Sequence, residues 1–134
     1  MIINFTENYR FTTRLTLKDE PIEVVSSTKL LGTIITEDLK WDMNKQNLVK
    51  KANGRMELLR KLASFGTPIE DLKDVYILFV RSMLEQSAVV WHSSLTRDNK
   101  EDLERVQRSA MRVIFQERYV SYKQSLTILG LETL

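Results

Sequence analysis

The hydrophobic residues of this chain change their spacing once, near Trp41. Before it, from Arg10 to Leu17, apolar and polar residues alternate, which is the pattern of a half-buried strand. After it, from about Asp42 to Ser64, apolar residues recur every three or four positions, as in an amphipathic helix. The change of period predicts an α+β fold that is mostly helical, with short strands first and helices after them.

Residues 1–41 are predicted to be strand-rich, with two or three short antiparallel strands. The alternating segment ends in the polar turn Lys18–Pro21, where proline interrupts strand pairing. Ile22–Val25 is the second predicted strand and Lys29–Ile35, rich in β-branched residues, is the third. Gly32 inside the third strand indicates a bulge or a close approach of backbone.

Residues 42–134 are predicted to form three main helices and one short helix. The first runs from about Asp42 to Ser64 and ends at Gly66, a typical C-cap residue. Thr67 and Glu70 form a capping box around Pro68 that predicts the start of the second helix. This second helix continues to Trp91, and apolar residues nearly encircle its middle, so it is predicted to be the most buried.

The third and fourth helices are predicted from their caps. Thr96 or Asp98 caps the third, which has acidic residues early and arginines late, as the helix dipole favours. Ser121, with Gln124 three residues on, caps a short fourth helix that ends before Gly130. With 134 residues in all, the strand-rich part and the helices are expected to form one compact unit.

The composition excludes most catalytic chemistry. The chain has no cysteine and a single histidine, His92, so thiolate nucleophiles, cysteine-bound metals and multi-histidine metal sites are ruled out. Its four glycines are too far apart for a phosphate-binding loop. The carboxylates of Glu70, Asp71 and Asp74, and those of Glu101, Asp102 and Glu104, lie in first helical turns, where the dipole explains them. We therefore expect no enzymatic activity, no metal and no cofactor.

The first predicted helix concentrates the positive charge. From Asp42 to Gly66 the chain has six basic and two acidic residues, a net charge of +4, whereas the rest of the chain has −2. Such a helix could follow a phosphate backbone or could simply be solvated, and the pattern favours neither. The candidate nucleic-acid-binding residues are Lys45, Lys50, Lys51, Arg55, Arg60 and Lys61.

Neither a membrane span nor a secretory signal is predicted. The longest apolar run, Val75–Val80, is far shorter than the roughly 18 residues of a span. The segment Met1–Thr6 has neither a basic start nor a small-residue cleavage site. An intracellular protein without membrane partners is expected, and nucleus and cytoplasm remain equally open.

Six segments, taken in order, resemble the region after the catalytic motif in reverse transcriptases of non-LTR (LINE-type) retrotransposons. Each motif alone is weak, and their order over nearly the whole chain carries the resemblance. They are Lys29–Gly32, Leu39–Trp41, Val49–Met56, Leu58–Leu62, Arg81–His92 and Leu103–Ala110.

The resemblance implies the end of the polymerase palm in residues 1–41 and the thumb with its following helices in 42–134. Leu31 and Gly32 would form the primer-grip-like turn, and the basic helix would hold an RNA–DNA or DNA duplex against the palm and fingers of the parent polymerase. That family binds magnesium through palm aspartates, two of them adjacent, and this chain has no adjacent aspartates. The expected function is therefore that of a noncatalytic fragment, which includes the possibility of a truncated reading frame.

Two other interpretations accompany this one. Residues 29–66 also resemble a segment named for the N-terminus of the AlkB homologue 8 alkylation-repair protein, but a dioxygenase of that kind needs two histidines and a carboxylate on iron, and the chain has only His92. The alternative function is that of a small helical protein-interaction module, whose basic face meets an acidic partner and which has no nucleic-acid role.

Overall fold

The computed structural model describes residues 1–6 and 15–134, and its described part is mostly helical with two small antiparallel sheets. It divides into two compact units, Met1–Asn44 and Lys45–Leu134. Short strands therefore precede a set of helices, and the predicted fold class is confirmed. Most of the alternating segment from Arg10 onward lies outside the described residues, and its end, Thr16–Leu17, is a strand.

The first sheet is a β-hairpin in which each strand is two residues long. β1, Thr16–Leu17, pairs with β2, Glu20–Pro21, across a turn in which Lys18 and Asp19 both have positive φ angles. Pro21 thus belongs to a strand, because an edge strand tolerates a residue without an N–H group. The strand predicted at Ile22–Val25 is wrong: only Val24 pairs there, in an isolated parallel bridge with Ile2.

The second sheet shows that the predicted third strand is two strands. β3, Ser27–Leu30, and β4, Thr33–Thr36, pair antiparallel through four residue pairs. The two residues between them, Leu31 and Gly32, have φ angles of 48° and 88°, as a tight hairpin turn requires. Gly32 therefore permits a chain reversal and is not in a bulge.

α1 extends over Asp42–Ser64, as predicted, and Gly66 follows it with a φ angle of 78°. In the first unit, the side chain of Asn44 connects this helix to β4, since its Oδ1 accepts a hydrogen bond from the Ile34 N–H at 3.0 Å. The buried side chains of α1 repeat every three or four residues and form one stripe: Leu48, Ala52, Met56, Leu59 and Ala63. This stripe is the contribution of α1 to the core of the helical unit.

The second predicted helix is interrupted. It consists of α2 (Ile69–Val75), a π-helical segment (Tyr76–Arg81), α3 (Ser82–Leu84), α4 (Ala88–Trp91) and a 3₁₀ turn (His92–Ser94). The capping box predicted at Thr67 is also wrong. The helix begins at Ile69, one residue too late for the Thr67 hydroxyl to reach its N–H groups, so Pro68 occupies the cap position without a side-chain hydrogen bond.

Burial along this interrupted helix is one-sided. Leu72, Tyr76, Val80 and Leu84 are buried, whereas Leu78, Phe79, Val89 and Val90 are exposed. This helix is predicted from the sequence to be the most buried, and the structure buries it along one side only. A hydrogen-bonding pattern that widens to a π-helix and then breaks at Ser87, whose φ angle is 56°, turns some of its apolar residues towards solvent.

The last two helices begin at the predicted caps. The Thr96 Oγ accepts a hydrogen bond from the Asn99 N–H at the start of α5, Arg97–Phe115. The Ser121 Oγ accepts one from the Gln124 N–H at the start of α6, Tyr122–Leu129. Both predictions are confirmed, as is the helix end at Gly130, which is left-handed. A 3₁₀ turn, Gln116–Arg118, connects α5 to α6.

Candidate nucleic-acid interface

The six basic residues of α1 are spread around the helix. Successive residues advance by about 100° around a helix axis. Lys45 is therefore in line with the buried stripe, whereas Lys50 and Lys61 lie on the opposite side and are exposed. Lys51 and Arg55 project from one flank of the stripe, and Arg60 projects from the other. Of the six residues, the structure places only Lys50 and Lys61 on the same line.

Lys45 belongs to an internal ion pair. Its Nζ lies 2.6 Å from Oδ2 of Asp102 on α5, and only 13% of its side chain is accessible. Asp102 also accepts a hydrogen bond at 3.0 Å from Arg105, one turn along α5. The hydrogen bond from Lys45 lowers the pKa of the Asp102 carboxyl below its usual value, and the charges of Lys45 and Arg105 lower it further.

Arg55 and Arg60 also have partners within the chain. The Arg55 Nη1 donates a hydrogen bond to the Phe79 carbonyl oxygen at 2.6 Å, which connects α1 to the π-helical segment. Arg60 pairs with Glu57 on its own helix. Both guanidinium groups can reach a ligand only by sharing or leaving these partners.

Lys50, Lys51 and Lys61 form no ion pair with any residue that the structure describes. Lys50 and Lys61 are exposed and Lys51 is half-buried. Lys50 and Lys61 are separated by three helical turns, which corresponds to about 16 Å along the axis. Arg55 has no ion pair either but is hydrogen-bonded to Phe79, so these three ammonium groups are the cations of α1 whose side chains form neither an ion pair nor a hydrogen bond with a described residue.

The turn of Leu31 and Gly32 lies in the first unit, at the tip of the β3–β4 hairpin. Leu31 is 87% exposed and has a left-handed backbone. That conformation costs a residue with a Cβ about 1–2 kcal/mol, and asparagine or glycine is usual at such a position. The sequence motif therefore corresponds to a real turn, with a large apolar side chain at its tip.

Sequence reasoning missed a groove between α1 and α5. The two helices run in the same direction: the Lys45–Asp102 pair connects their beginnings, and the Gln116 Nε2 donates to the Ala63 carbonyl oxygen at 2.9 Å near their ends. Between them lies a groove of about 480 Å³. Its lining is formed by Lys45, Gln46, Val49, Lys50, Asn53, Asp102, Arg105, Val106 and Ser109. The spacing of these residues in threes and fours marks a helix face, but sequence alone does not say which two helices meet.

The acidic residues at the start of α5 do more than complement the helix dipole. Glu101 pairs with Arg108, and Asp102 pairs with Lys45 and Arg105. Glu104 is buried, where it accepts hydrogen bonds from the Tyr122 hydroxyl and, at 3.0 Å, from the Leu134 N–H. Burial and the Glu104 carboxylate raise the pKa of Tyr122. These contacts give the three carboxylates structural roles.

A second buried polar side chain extends this network. The Gln107 Oε1 accepts a hydrogen bond from the Tyr76 hydroxyl at 2.7 Å, and its Nε2 lies 2.8 Å from the Tyr122 oxygen and 2.9 Å from the Glu132 carbonyl oxygen. Burial raises the pKa of Tyr76. The network holds the π-helical segment, α5, α6 and the chain after α6 together.

No three histidine, cysteine, aspartate or glutamate side chains of residues 1–6 and 15–134 are grouped so that they could hold a metal ion. Among the same residues, no helix has both the length and the apolar character needed to cross a membrane.

Comparison with known proteins adds no relative. No family model matches the chain, and no curated protein or solved structure is significantly similar to it.

Proposed function

We propose that this chain is the noncatalytic, thumb-like part of a LINE-type reverse transcriptase, and that α1 binds the phosphates of a primer–template duplex. The observation that carries the proposal is the set of three lysines on α1, Lys50, Lys51 and Lys61, which have no ion pair among the described residues. The ordered motifs of the sequence support the same assignment. Polymerisation itself would be the work of aspartates that this chain lacks.

Three of the six candidate residues already have partners within the chain. Lys45 is half-buried in its pair with Asp102, and Arg55 and Arg60 are bonded to Phe79 and Glu57. A cation that already has a partner must share or leave it to contact a phosphate, so it displaces fewer of the counterions condensed on the duplex and adds less to a salt-dependent affinity. In this proposal the three lysines without ion pairs therefore account for most of the binding.

The test compares two double variants of equal net charge. K50E/K61E reverses the two outward lysines of α1, and K100E/K123E reverses two exposed lysines on α5 and α6. Binding of a labelled RNA–DNA duplex is measured by fluorescence anisotropy over a range of salt concentrations. The α1 variant should bind more weakly, and its slope of log affinity against log salt should fall by about two, because each lost phosphate contact removes about one.

The control variant distinguishes a specific role of α1 from an effect of net charge alone. K100E/K123E should keep most of the affinity, and circular dichroism of both variants should match that of the unmodified protein. Equal loss in the two variants would mean that net charge alone governs binding. Unchanged affinity in K50E/K61E would refute the role of α1.

The alternative function, a helical protein-interaction module, is favoured by a different observation. Four apolar side chains of the interrupted helix are exposed: Leu78, Phe79, Val89 and Val90. Leu78 and Phe79 are adjacent in sequence, as are Val89 and Val90, and exposed apolar surface of this kind is typical of protein-binding sites. This alternative predicts a discrete oligomer or partner complex in solution, and no binding of a duplex at physiological salt.

A further inference from the structure

The groove between α1 and α5 has a lining suited to a ligand with both acidic and apolar groups. Val49 and Val106 provide apolar surface, and Asn53 and Ser109 provide hydrogen-bonding groups beside it. Its volume of about 480 Å³ lies within the range of small-ligand sites. The groove therefore combines apolar and hydrogen-bonding surface with its charged residues.

The charges of the groove are unequal. Lys45, Lys50 and Arg105 are its cations, and Asp102 is its single carboxylate, so its net charge is +2. Asp102 neutralises Lys45, with which it pairs at 2.6 Å. Lys50 on α1 and Arg105 on α5 remain at the two rims, and the Arg105 side chain is 68% exposed although it contacts Asp102. An acidic ligand is thus attracted from both helices.

From this arrangement we infer that the α1–α5 groove binds an extended acidic peptide segment of a partner protein. An apolar side chain of the segment packs on Val49 and Val106, and acidic side chains on either side of it face Lys50 and Arg105. Asn53 and Ser109 bond the peptide backbone. The interaction is separate from the proposed duplex binding and shares only Lys50 with it.

Shape and chemistry both favour a peptide over a nucleic-acid duplex in this groove. A surface groove of about 480 Å³ between two neighbouring helices holds a few residues of an extended chain, whereas a duplex would touch only its rims. A phosphate backbone gains nothing from an apolar floor, whereas an aliphatic side chain gains free energy when it is buried there. The part of α1 that lines the groove, from Lys45 to Asn53, spans about 12 Å, the length of about four extended residues.

The experiment uses opposite charges at one groove position. Asn53 is exposed and forms part of the groove, so N53E and N53K introduce opposite charges with similar helix propensity. The probe is a labelled, capped peptide of about six residues with glutamate, leucine and glutamate at its centre, and the control peptide has glutamine in place of glutamate. Binding to the full chain is measured by fluorescence anisotropy.

The affinity for the acidic peptide is expected to rise as the charge at position 53 goes from negative to neutral to positive. N53E should weaken binding of the acidic peptide about threefold and N53K should strengthen it about threefold, the size of one solvent-exposed charge interaction. Binding of the glutamine peptide should be weak and should not respond to either substitution. In the unmodified protein, the amide NMR signals of Asn53 and Ser109 should shift as the acidic peptide is added.

Three results would overturn the inference. They are equal affinity of the acidic peptide for all three proteins, peptide-induced shifts that lie away from α1 and α5, and no binding at millimolar peptide. A single-stranded oligonucleotide is tested in parallel. If its affinity follows the charge at Asn53 while that of the peptide does not, the groove is a nucleic-acid site and the peptide assignment is refuted. Because K50E/K61E tests the duplex separately, failure of one proposal leaves the other standing.

Discussion

At the scale of single residues, the charge of Asp102 connects α5 to Lys45 on α1 within the unit Lys45–Leu134. The folded-state pKa of Asp102 lies below the usual value of about 3.9, so its contribution to stability is present above that pH and is lost as the pH falls towards the folded-state pKa. We expect D102N to lower the free energy of unfolding by about 1 kcal/mol at pH 7, because Lys45 keeps a half-buried charge without a partner. Urea unfolding between pH 7 and pH 3 measures the difference.

The pH dependence distinguishes this interaction from a general effect of charge. The difference in stability between D102N and the unmodified protein should shrink as the pH falls below about 4, because the unfolded-state carboxyl is protonated first and the folded-state carboxyl follows at its lower pKa. Asp98, in the first turn of the same helix, forms no ion pair with a described residue, so D98N should cost less. A difference that stays constant from pH 7 to pH 3 would show that the charge of Asp102 does not matter.

Sequence predicted which residues of α1 are basic but not what they contact. The bounds of α1 were correct, and they place Lys50 and Lys61 opposite the core. However, Lys45 and Arg55 bond to Asp102 and to the Phe79 backbone, 57 and 24 residues further along the chain. Periodicity along one helix carries no information about partners so distant in sequence. The groove residue Arg105 was missed for the same reason, since a helix dipole explained its position well enough.

At the scale of elements, the β3–β4 hairpin has an unfavourable turn residue. Leu31 has a left-handed backbone in the first position of a two-residue turn, where asparagine is preferred. We expect L31N to stabilise the hairpin by about 1 kcal/mol relative to L31A, since alanine keeps the cost of a Cβ in that conformation. Because the Ile34 N–H donates to Asn44 and points away from β3, amide hydrogen exchange is measured at Thr28 and Ile35, the neighbouring pair whose N–H groups face each other. Exchange in L31N should be about fivefold slower.

Comparison with alanine separates the backbone effect from the loss of an exposed leucine. Both variants remove the apolar side chain, and only asparagine suits the left-handed turn. Equal exchange rates in L31N and L31A would mean that the turn adds no strain to the hairpin.

The helices show where local sequence determines an element and where it does not. Thr96 and Ser121 each cap a helix, because a hydroxyl three residues before a free N–H group needs no distant contact. The interrupted helix was predicted as continuous. Its buried residues, Leu72, Tyr76, Val80 and Leu84, are spaced by four, which drifts about 40° per step around an α-helix, and a wider π-helical turn reduces that drift. This spacing of four is the sequence signal from which the π-helical segment could have been predicted.

At the scale of the whole molecule, the two units differ in how much apolar surface they bury. Among the described residues of the unit Met1–Asn44, Trp41 is the one buried apolar side chain, and the two sheets have two strands each. In the unit Lys45–Leu134, every helix longer than six residues contributes to a common core. Because isolated two-stranded hairpins are marginal in water, stability should reside in the helical unit.

Two fragments test this distribution of stability. We expect residues 42–134 to keep their helical circular dichroism and to unfold in one cooperative transition, because α1 begins at Asp42 and the buried stripe, the interrupted helix and α5 are all retained. We expect residues 1–41 alone to show no cooperative transition. If residues 42–134 instead lose cooperativity, or if residues 1–41 fold alone, then the strand-rich unit contributes stability that its burial does not explain. Loss of cooperativity in residues 42–134 would mean that folding of the helices depends on residues 1–41, the part of the chain where the sequence pattern was least accurate.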